Sequence, residues 1–457
     1  MSQRLPPYSA DQLLQSLSSL PPASSWLVGF SGGADSTALL HAMVQLREQL
    51  QTPFRAVHIN HGLHPDSHQW SQHCEALCRD WSVAFTSLNV HIDGTGQGLE
   101  AEARERRYTA INTLLKNGEA VFTAHHADDQ AETLLLNLMR GSGVDGLSAM
   151  PPHKAFGQNQ LQRPLLRFHR QALVDYLNLH GIKWLEDPSN QNVDQDRNFI
   201  RNKALPLLES QFAGSVKRLL LTQQAMLETR ALLKPLAEQH LQAELLHPLV
   251  LRISNELLNN PALFKLVIRR WLKRSGVPGL PARQLTDLFS QLQHASSGHQ
   301  ISVMWTDFCI RFYQKHLWLQ QGADIETCPD LEWPENSDDA ELSPNLGNLH
   351  FAAENQFVLP GKITITSRHS QPGLSLLRGD HHQSIKNLFQ AAAIPVWLRD
   401  SIPMTLIDDE LVAVGDWALS KTFASWLSEN HVKFSWQPNA PILQYLTLQQ
   451  HHRARQT

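Results

Sequence analysis

Short apolar runs alternate with stretches of helical spacing through the first 140 residues. Trp26 to Phe30 is an apolar run ending in a glycine-rich turn, and Ser36 to Leu50 then carries apolar residues at helical intervals. The alternation repeats three times. Strands are expected over Phe54 to Ile59, Val83 to Val90 and Ala120 to Ala124, and helices over Ser67 to Trp81, Leu99 to Lys116 and Asp128 to Arg140. Four strand–helix repeats predict an α/β fold with a parallel sheet and helices on both faces.

The pattern changes after Arg140. Gly141 to Pro152 reads as a loop, and helices are expected over His169 to His180 and Asn198 to Leu208. Phe212 to about Leu246 is helix-forming and nearly free of Gly and Pro; Pro261 to Arg274 and Ala282 to Leu292 are further helices, and Gln300 to Leu319 alternates like strands. Gly322 to Gly347 is acidic and holds several prolines, which suits a loop or linker. Beyond it lies a small α/β module, with strands near Lys362 to Ser367 and Met404 to Val414, a helix near Ser384 to Ala393, and a polar tail from His451 expected to fray.

At 457 residues the chain exceeds a single hydrophobic core. The expected division is 1–210, a mainly helical 211–325, a linker at 326–350 and a C-terminal domain at 351–457. The net charge of −4 provides no global attraction for polyanions, so nucleic-acid binding must come from local Lys and Arg clusters. Four cysteines make no disulfide framework, and neither a signal peptide nor an apolar run of membrane length is visible. A cytoplasmic chain with no membrane contact and no evident protein partner is expected.

The most informative stretch is Ser31-Gly32-Gly33-Ala34-Asp35-Ser36, between a strand and a helix. The glycines let the backbone turn sharply and approach a ligand. Unpaired N–H groups at the helix start, with the two serine hydroxyls, form an anion site. No Gly-Lys-Ser/Thr triplet occurs, so no lysine grips a transferring γ-phosphate. The loop suits a pyrophosphate leaving group, with cleavage between the α- and β-phosphates. Asp35 beside phosphates calls for a bridging cation such as Mg²⁺.

The string resembles the signature of the PP-loop ATP pyrophosphatase superfamily. Further stretches narrow the resemblance: Val57-His58-Ile59-Asn60-His61-Gly62-Leu63, Glu100 to Tyr108, Thr123 to Thr133 with Arg140-Gly141-Ser142-Gly143, Arg163-Pro164-Leu165-Leu166, Glu186 to Asn190, and Arg197-Asn198-Phe199-Ile200-Arg201. Together with Lys386 to Phe389 and Pro395 to Asp400 these are similar to the tRNA(Ile)-lysidine synthetases. The resemblance implies a PP-loop catalytic domain over 1–210, tRNA-binding domains beyond it, and a ligase using ATP. Its substrates would be free lysine and an isoleucine tRNA with a CAU anticodon. The wobble cytidine would be adenylated with release of pyrophosphate, and lysine would then displace AMP to give lysidine. A tRNA thiolase of the same superfamily and a non-catalytic tRNA-binding protein are the alternatives.

On this reading Ser31, Gly32, Gly33, Ala34, Asp35, Ser36, His61 and His125 bind ATP. Asp129 and Glu132, three apart on one helix face, hold the lysine ammonium or accept its proton. Asp35 and Asp129 are the alternative metal pair. Arg104 joins Asp35, Asp129 and Glu132 as a catalytic candidate. Arg107, Tyr108, Arg197, Arg201, Arg270 and Arg399 are candidate tRNA or substrate contacts, since Arg pairs with phosphate through parallel hydrogen bonds.

Overall fold

A computed structural model describes residues 6–60, 62, 66–90, 99–186, 196–295, 301–322, 325–335, 337–354, 357–371, 373–378 and 381–454. The chain divides into two compact units, Met1–Lys234 and Pro235–Thr457.

The first unit runs α1 (Ala10–Ser18), β1 (Ser25–Gly29), α2 (Ala34–Gln45), β2 (Phe54–Asn60), α3 (Ser67–Asp80), β3 (Phe85–Asn89), α4 (Leu99–Leu114), β4 (Glu119–Phe122) and α5 (Ala127–Met139). It continues through α6 (Val144–Leu147), β5 (His153–Phe156), β6 (Asn159–Gln162), α7 (Arg170–Leu179), α8 (Asp196–Phe199), a π-helical turn (Ile200–Ala204), α9 (Leu205–Gln211) and into α10 (Ser215–Glu244). One sheet has the order β3-β2-β1-β4-β6-β5, parallel except for the β5–β6 hairpin at its edge. The alternating strand residues sort onto two faces, as a period of two requires. Val28 and Phe122 face the core with Leu39, Leu40 and Met43 of α2 and Leu173 and Leu177 of α7. Their neighbours Leu27 and Val121 face the opposite core with Ile111 of α4. The four expected repeats are present. The edge hairpin is an addition, and its first strand is largely exposed and carries no alternation to read.

Among the described residues the second unit holds four sheets, in two successive groups of elements. The first comprises β7 (Leu245–His247), β8 (Val250–Arg252), α11 (Asn255–Asn259), α12 (Pro261–Arg274), α13 (Ala282–Gln293), β9 (Ile301–Trp305), β10 (Phe308–Tyr313) and β11 (His316–Gln321). Its antiparallel sheet, β7-β8-β11-β10-β9, shares a core with the apolar faces of α12 and α13, including Phe264, Trp271, Leu285 and Leu288. The second comprises β12 (Leu331–Glu332), β13 (Asp339–Ser343), β14 (Gly347–Ala353), β15 (Ile363–Thr366), β16 (Ser375–Arg378), β17 (His381–Ser384), α14 (Ile385–Ala391), β18 (Met404–Ile407), β19 (Glu410–Val414), β20 (Ala418–Leu419), α15 (Lys421–Glu429), β21 (Val432–Gln437) and α16 (Pro441–Ala454).

Two expectations are corrected here. The segment 326–350 is no simple linker: it holds β12, β13 and the start of β14. In β13 the acids Asp339 and Glu341 are exposed while Ala340 and Leu342 between them are buried. Acidic composition had masked a strand alternation. The tail is helical through Ala454, so it does not fray at His451. Among the described residues no helix is long and apolar enough to cross a membrane.

Candidate active site

The site is built at the C-terminal edge of the parallel strands, where open α/β sheets bind ligands. After β1 the chain turns through Ser31 to Gly33, and Gly33 caps α2. Gly32 has φ +80°, and a Cβ there would lie 2.9 Å from Cys74 Sγ and 2.9 Å from Leu185 Cδ1. Both its conformation and its surroundings therefore call for glycine. The Leu185 N–H donates to the Gly32 carbonyl at 2.9 Å, tying the loop to the segment after α7. Ser36 Oγ accepts from the Ser31 N–H at 3.2 Å, donates to the Gly33 carbonyl at 3.1 Å and lies 3.0 Å from Ser31 Oγ. Sequence alone called for such a loop; the serines fix its shape as well as lining it.

The second wall comes from β4 through Thr123 to His126 into α5. His126 caps α5, and its backbone N–H donates to Asp129 Oδ2 at 3.0 Å. Its imidazole is buried among three carboxylates. Nε2 lies 3.5 Å from Asp35 Oδ2 and 3.4 Å from Asp129 Oδ2, and Nδ1 lies 3.5 Å from Asp128 Oδ2. Burial alone would keep the ring neutral, but Asp129, Asp128 and Asp35 outweigh it and push its pKa up to about 10. The 3.4 Å contact from the Asp129 N–H to Nδ1 would require a neutral ring. We favour the imidazolium, because that contact is long and the three carboxylates act together. His126 thus links Asp35 on α2 to Asp129 on α5. His125, the residue expected to line the ATP pocket, has Nδ1 bonded to Thr123 Oγ1 at 2.8 Å. The cap position three residues before Asp129 was the signal that distinguishes the two histidines.

Asp128 is held by the Arg170 N–H at 2.8 Å and by His169 at 3.4 Å. Burial works against its charge, yet His126, His169 and the Arg170 amide keep its carboxyl well below the usual carboxylate range. Asp129 is depressed as well: desolvation is outweighed by His126, His125 and Arg197.

Asp129 and Glu132 do share one face, as their spacing predicts, and the Glu132 side chain is 1% exposed. Arg197 and Arg201, read from the sequence as substrate contacts, converge on them. Arg201 Nε donates to Glu132 Oε1 at 2.6 Å and Arg197 Nε to Glu132 Oε2 at 2.9 Å. The Nη2 groups of Arg197 and Arg201 reach Asp129 Oδ1 at 3.1 and 2.9 Å.

The remaining candidates lie apart. His61 is outside the described residues, as is the side chain of Arg104 on α4. Arg107 is exposed on α4. The Tyr108 ring packs edge-on against Phe156 at 5.5 Å, beneath Lys154 Nζ at 5.7 Å. Phe156 pairs with Asn159 where β6 begins, so Tyr108 sits toward the opposite end of the sheet from the loop. In the second unit Arg270 and Arg274 both pair with Glu238, which occupies part of the expected phosphate-binding charge. Arg399 is buried; it donates to the Ile394 carbonyl at 3.1 Å and to Tyr313 Oη at 3.3 Å. These contacts brace that unit's core.

A divalent cation fits part of the expected pair. Asp35 Oδ1 is buried without a hydrogen-bond partner, with Arg170 Nε 3.7 Å away, and is a hard oxygen suited to Mg²⁺ held jointly with phosphate. In this arrangement the Asp129 oxygens are engaged by Arg197, Arg201 and the His126 N–H. Among the described residues no three His, Cys, Asp or Glu side chains form a ready-made metal cluster. Cys74 and Cys78 are buried on α3, and burial pushes both thiols up to about 12. They are packing residues, unsuited to the sulfur relay that a thiolase would need.

A family model described as a PP-loop domain matches residues 7–208. A TilS substrate binding domain matches 259–318, and a TilS substrate C-terminal domain matches 363–436. The chain is similar to the tRNA(Ile)-lysidine synthase of Alkalilimnicola ehrlichii, 35% identical over 432 residues, covering 92% of this chain and 96% of the relative. It is similar to that of Methylococcus capsulatus at 35% over 435 residues, covering 92% and 98%. The Pectobacterium atrosepticum relative is 35% identical over 408 residues, covering 88% and 92%.

Proposed function

The chain belongs to the tRNA(Ile)-lysidine synthase family, ligases that form a carbon–nitrogen bond, and from that premise we propose how its own residues carry the reaction. The substrates are ATP, free lysine and an isoleucine tRNA with a CAU anticodon. The O2 oxygen of the wobble cytidine attacks the α-phosphorus of ATP, giving an adenylated base and pyrophosphate. The ε-amine of lysine then attacks carbon 2, and AMP leaves.

The Ser31 to Ser36 loop receives the pyrophosphate on the N–H groups that open α2. Asp35 would hold Mg²⁺ together with the phosphates, and the ion would supply charge neutralisation there. Asp129 and Glu132 hold the lysine ammonium or accept its proton before attack. One observation carries this reading: His126 Nε2 lies within 3.5 Å of Asp35 and 3.4 Å of Asp129. Phosphate loop and carboxylate pair are therefore separated by a single imidazole, close enough for an adenylated base and an amine to meet. Residues 1–210 form the catalytic domain, and tRNA recognition falls to 211–325 and 351–457. The free cysteines suit a reducing cytoplasm.

The test incubates the protein with ATP, Mg²⁺, radiolabelled lysine and isoleucine tRNA carrying an unmodified CAU anticodon. Acid-precipitable label that requires ATP and is lost in Asp35→Ala is expected. Pyrophosphate release without lysine on the tRNA would retain the loop chemistry and reject the lysine assignment.

A further inference from the structure

The carboxylate pair assigned to lysine is already filled. Glu132 Oε1 accepts from Arg201 Nε at 2.6 Å; Glu132 Oε2 accepts from Arg197 Nε at 2.9 Å and from Arg201 Nη2 at 3.0 Å. Asp129 Oδ1 accepts from both guanidinium groups, and Asp129 Oδ2 accepts the His126 N–H at 3.0 Å. Each of the four oxygens therefore has a donor. Two carboxylates face two guanidinium groups, which take up their hydrogen-bonding positions. An added ammonium would find no open oxygen on this pair beside a glutamate that is 1% exposed, and a buried charge left without a partner is strongly unfavourable. A substrate ammonium must exchange with a guanidinium rather than join it.

Two further features support exchange. Arg201 lies inside the π-helical turn Ile200–Ala204, and Arg197 lies on the short α8 before it. Such turns interrupt the helical hydrogen-bond ladder and occur often at functional sites. A new anionic partner is also within reach, because the Asp35–His126–Asp129 contacts bring the carboxylate pair beside the phosphate loop.

We propose that Arg197 and Arg201 form a resident cationic plug in the lysine site, that lysine enters by displacing the Arg201 guanidinium, and that nucleotide phosphates draw this guanidinium away. ATP binding therefore opens the lysine site. The inference rests on the assignment of Asp129 and Glu132 to lysine.

Calorimetric titration with lysine, with and without a non-hydrolysable ATP analogue, tests it on the full chain. Wild-type protein is expected to bind lysine about tenfold more tightly with the analogue, corresponding to a competent site populated to roughly one part in ten without it. Arg201→Met is expected to bind lysine about tenfold more tightly than wild type in the absence of nucleotide, with little further gain from the analogue. A misfolded variant cannot produce a gain in affinity, and Arg197→Met provides a second variant expected to shift the same way. Wild-type lysine binding that ignores nucleotide, or Arg201→Met binding no tighter than wild type, would overturn the plug and leave the lysine assignment standing. Absence of lysine binding in every form, with nucleotide and tRNA present, would overturn both.

Discussion

Replacing Gly32 with alanine separates a glycine required by structure from one required only by approach to a ligand. At φ +80° an L-residue carries a left-handed conformation costing about 1–2 kcal/mol. The new methyl would also meet Cys74 Sγ and Leu185 Cδ1 at 2.9 Å each. Cys74 is fully buried and short, so it has little room to yield. Overpacking of this kind adds about 1–3 kcal/mol. Gly32→Ala should therefore destabilise the first unit by about 3 kcal/mol. Gly33→Ala is the internal control: an added Cβ there meets Ser31 Oγ at 3.5 Å, an ordinary contact. As a helix N-cap, where alanine is poorer than glycine, it should cost about 1 kcal/mol or less. Urea unfolding followed by a probe in the first unit measures both, and ATP-analogue binding is read on the same samples. Adding Cys74→Ala to Gly32→Ala should recover about 1 kcal/mol relative to additivity, since the two atoms compete for one space. Equal stabilities of the Gly32 and Gly33 variants would refute the steric argument.

Other consequences follow from buried charge. Glu119 is 1% exposed and accepts Arg55 Nε at 3.0 Å, Arg55 Nη2 at 2.7 Å, the Lys116 N–H and the Ser25 hydroxyl. Arg55→Met should cost about 3–5 kcal/mol in thermal or urea unfolding, and Arg55→Met with Glu119→Leu should cost less than the single change. A loss below about 1 kcal/mol would show that the pair is solvent-screened. His41 bonds to Tyr176 Oη at 2.8 Å, and burial, aided by His180, lowers its pKa to about 4. The folded ring stays neutral while the unfolded ring gains a proton near pH 6.5. Stability is therefore lost as pH falls from 6.5 toward 4, by about 3 kcal/mol at the lower end, and His41→Gln should flatten that slope. His126 has the opposite sign. Its raised pKa of about 10 gives a contribution complete below pH 6.5 and lost as pH rises through 10. Imidazole NMR should find His126 charged at about pH 8 and His41 neutral at about pH 5.5; a neutral His126 at pH 8 would dismantle the three-carboxylate account.

The parallel strands, the phosphate loop and the helix-face pairing of Asp129 with Glu132 were legible in the sequence. Each rests on neighbours a few residues apart: strand alternation, two glycines before a helix, a spacing of three. The turn through Ser31 to Ser36 was legible for the same reason. The strands within 326–350 were not, because exposed acids concealed the buried Ala340 and Leu342, and β14 is stabilised by pairing with the distant β21. Nor could local pattern show that Arg399 lies in a core or that Tyr108 turns toward Phe156. The decisive case is the charge cluster. Arg197 and Arg201 stand more than sixty residues from Asp129 and Glu132, and their spacing allowed tRNA phosphate contacts as readily as internal pairing. The sequence determined which charges exist and which share a helix face. Only the tertiary structure decided which opposite charges meet, because that depends on how α8 and its π-helical turn return to α5, and Coulomb attraction in a buried site acts between neighbours in space, however far apart they stand in the chain.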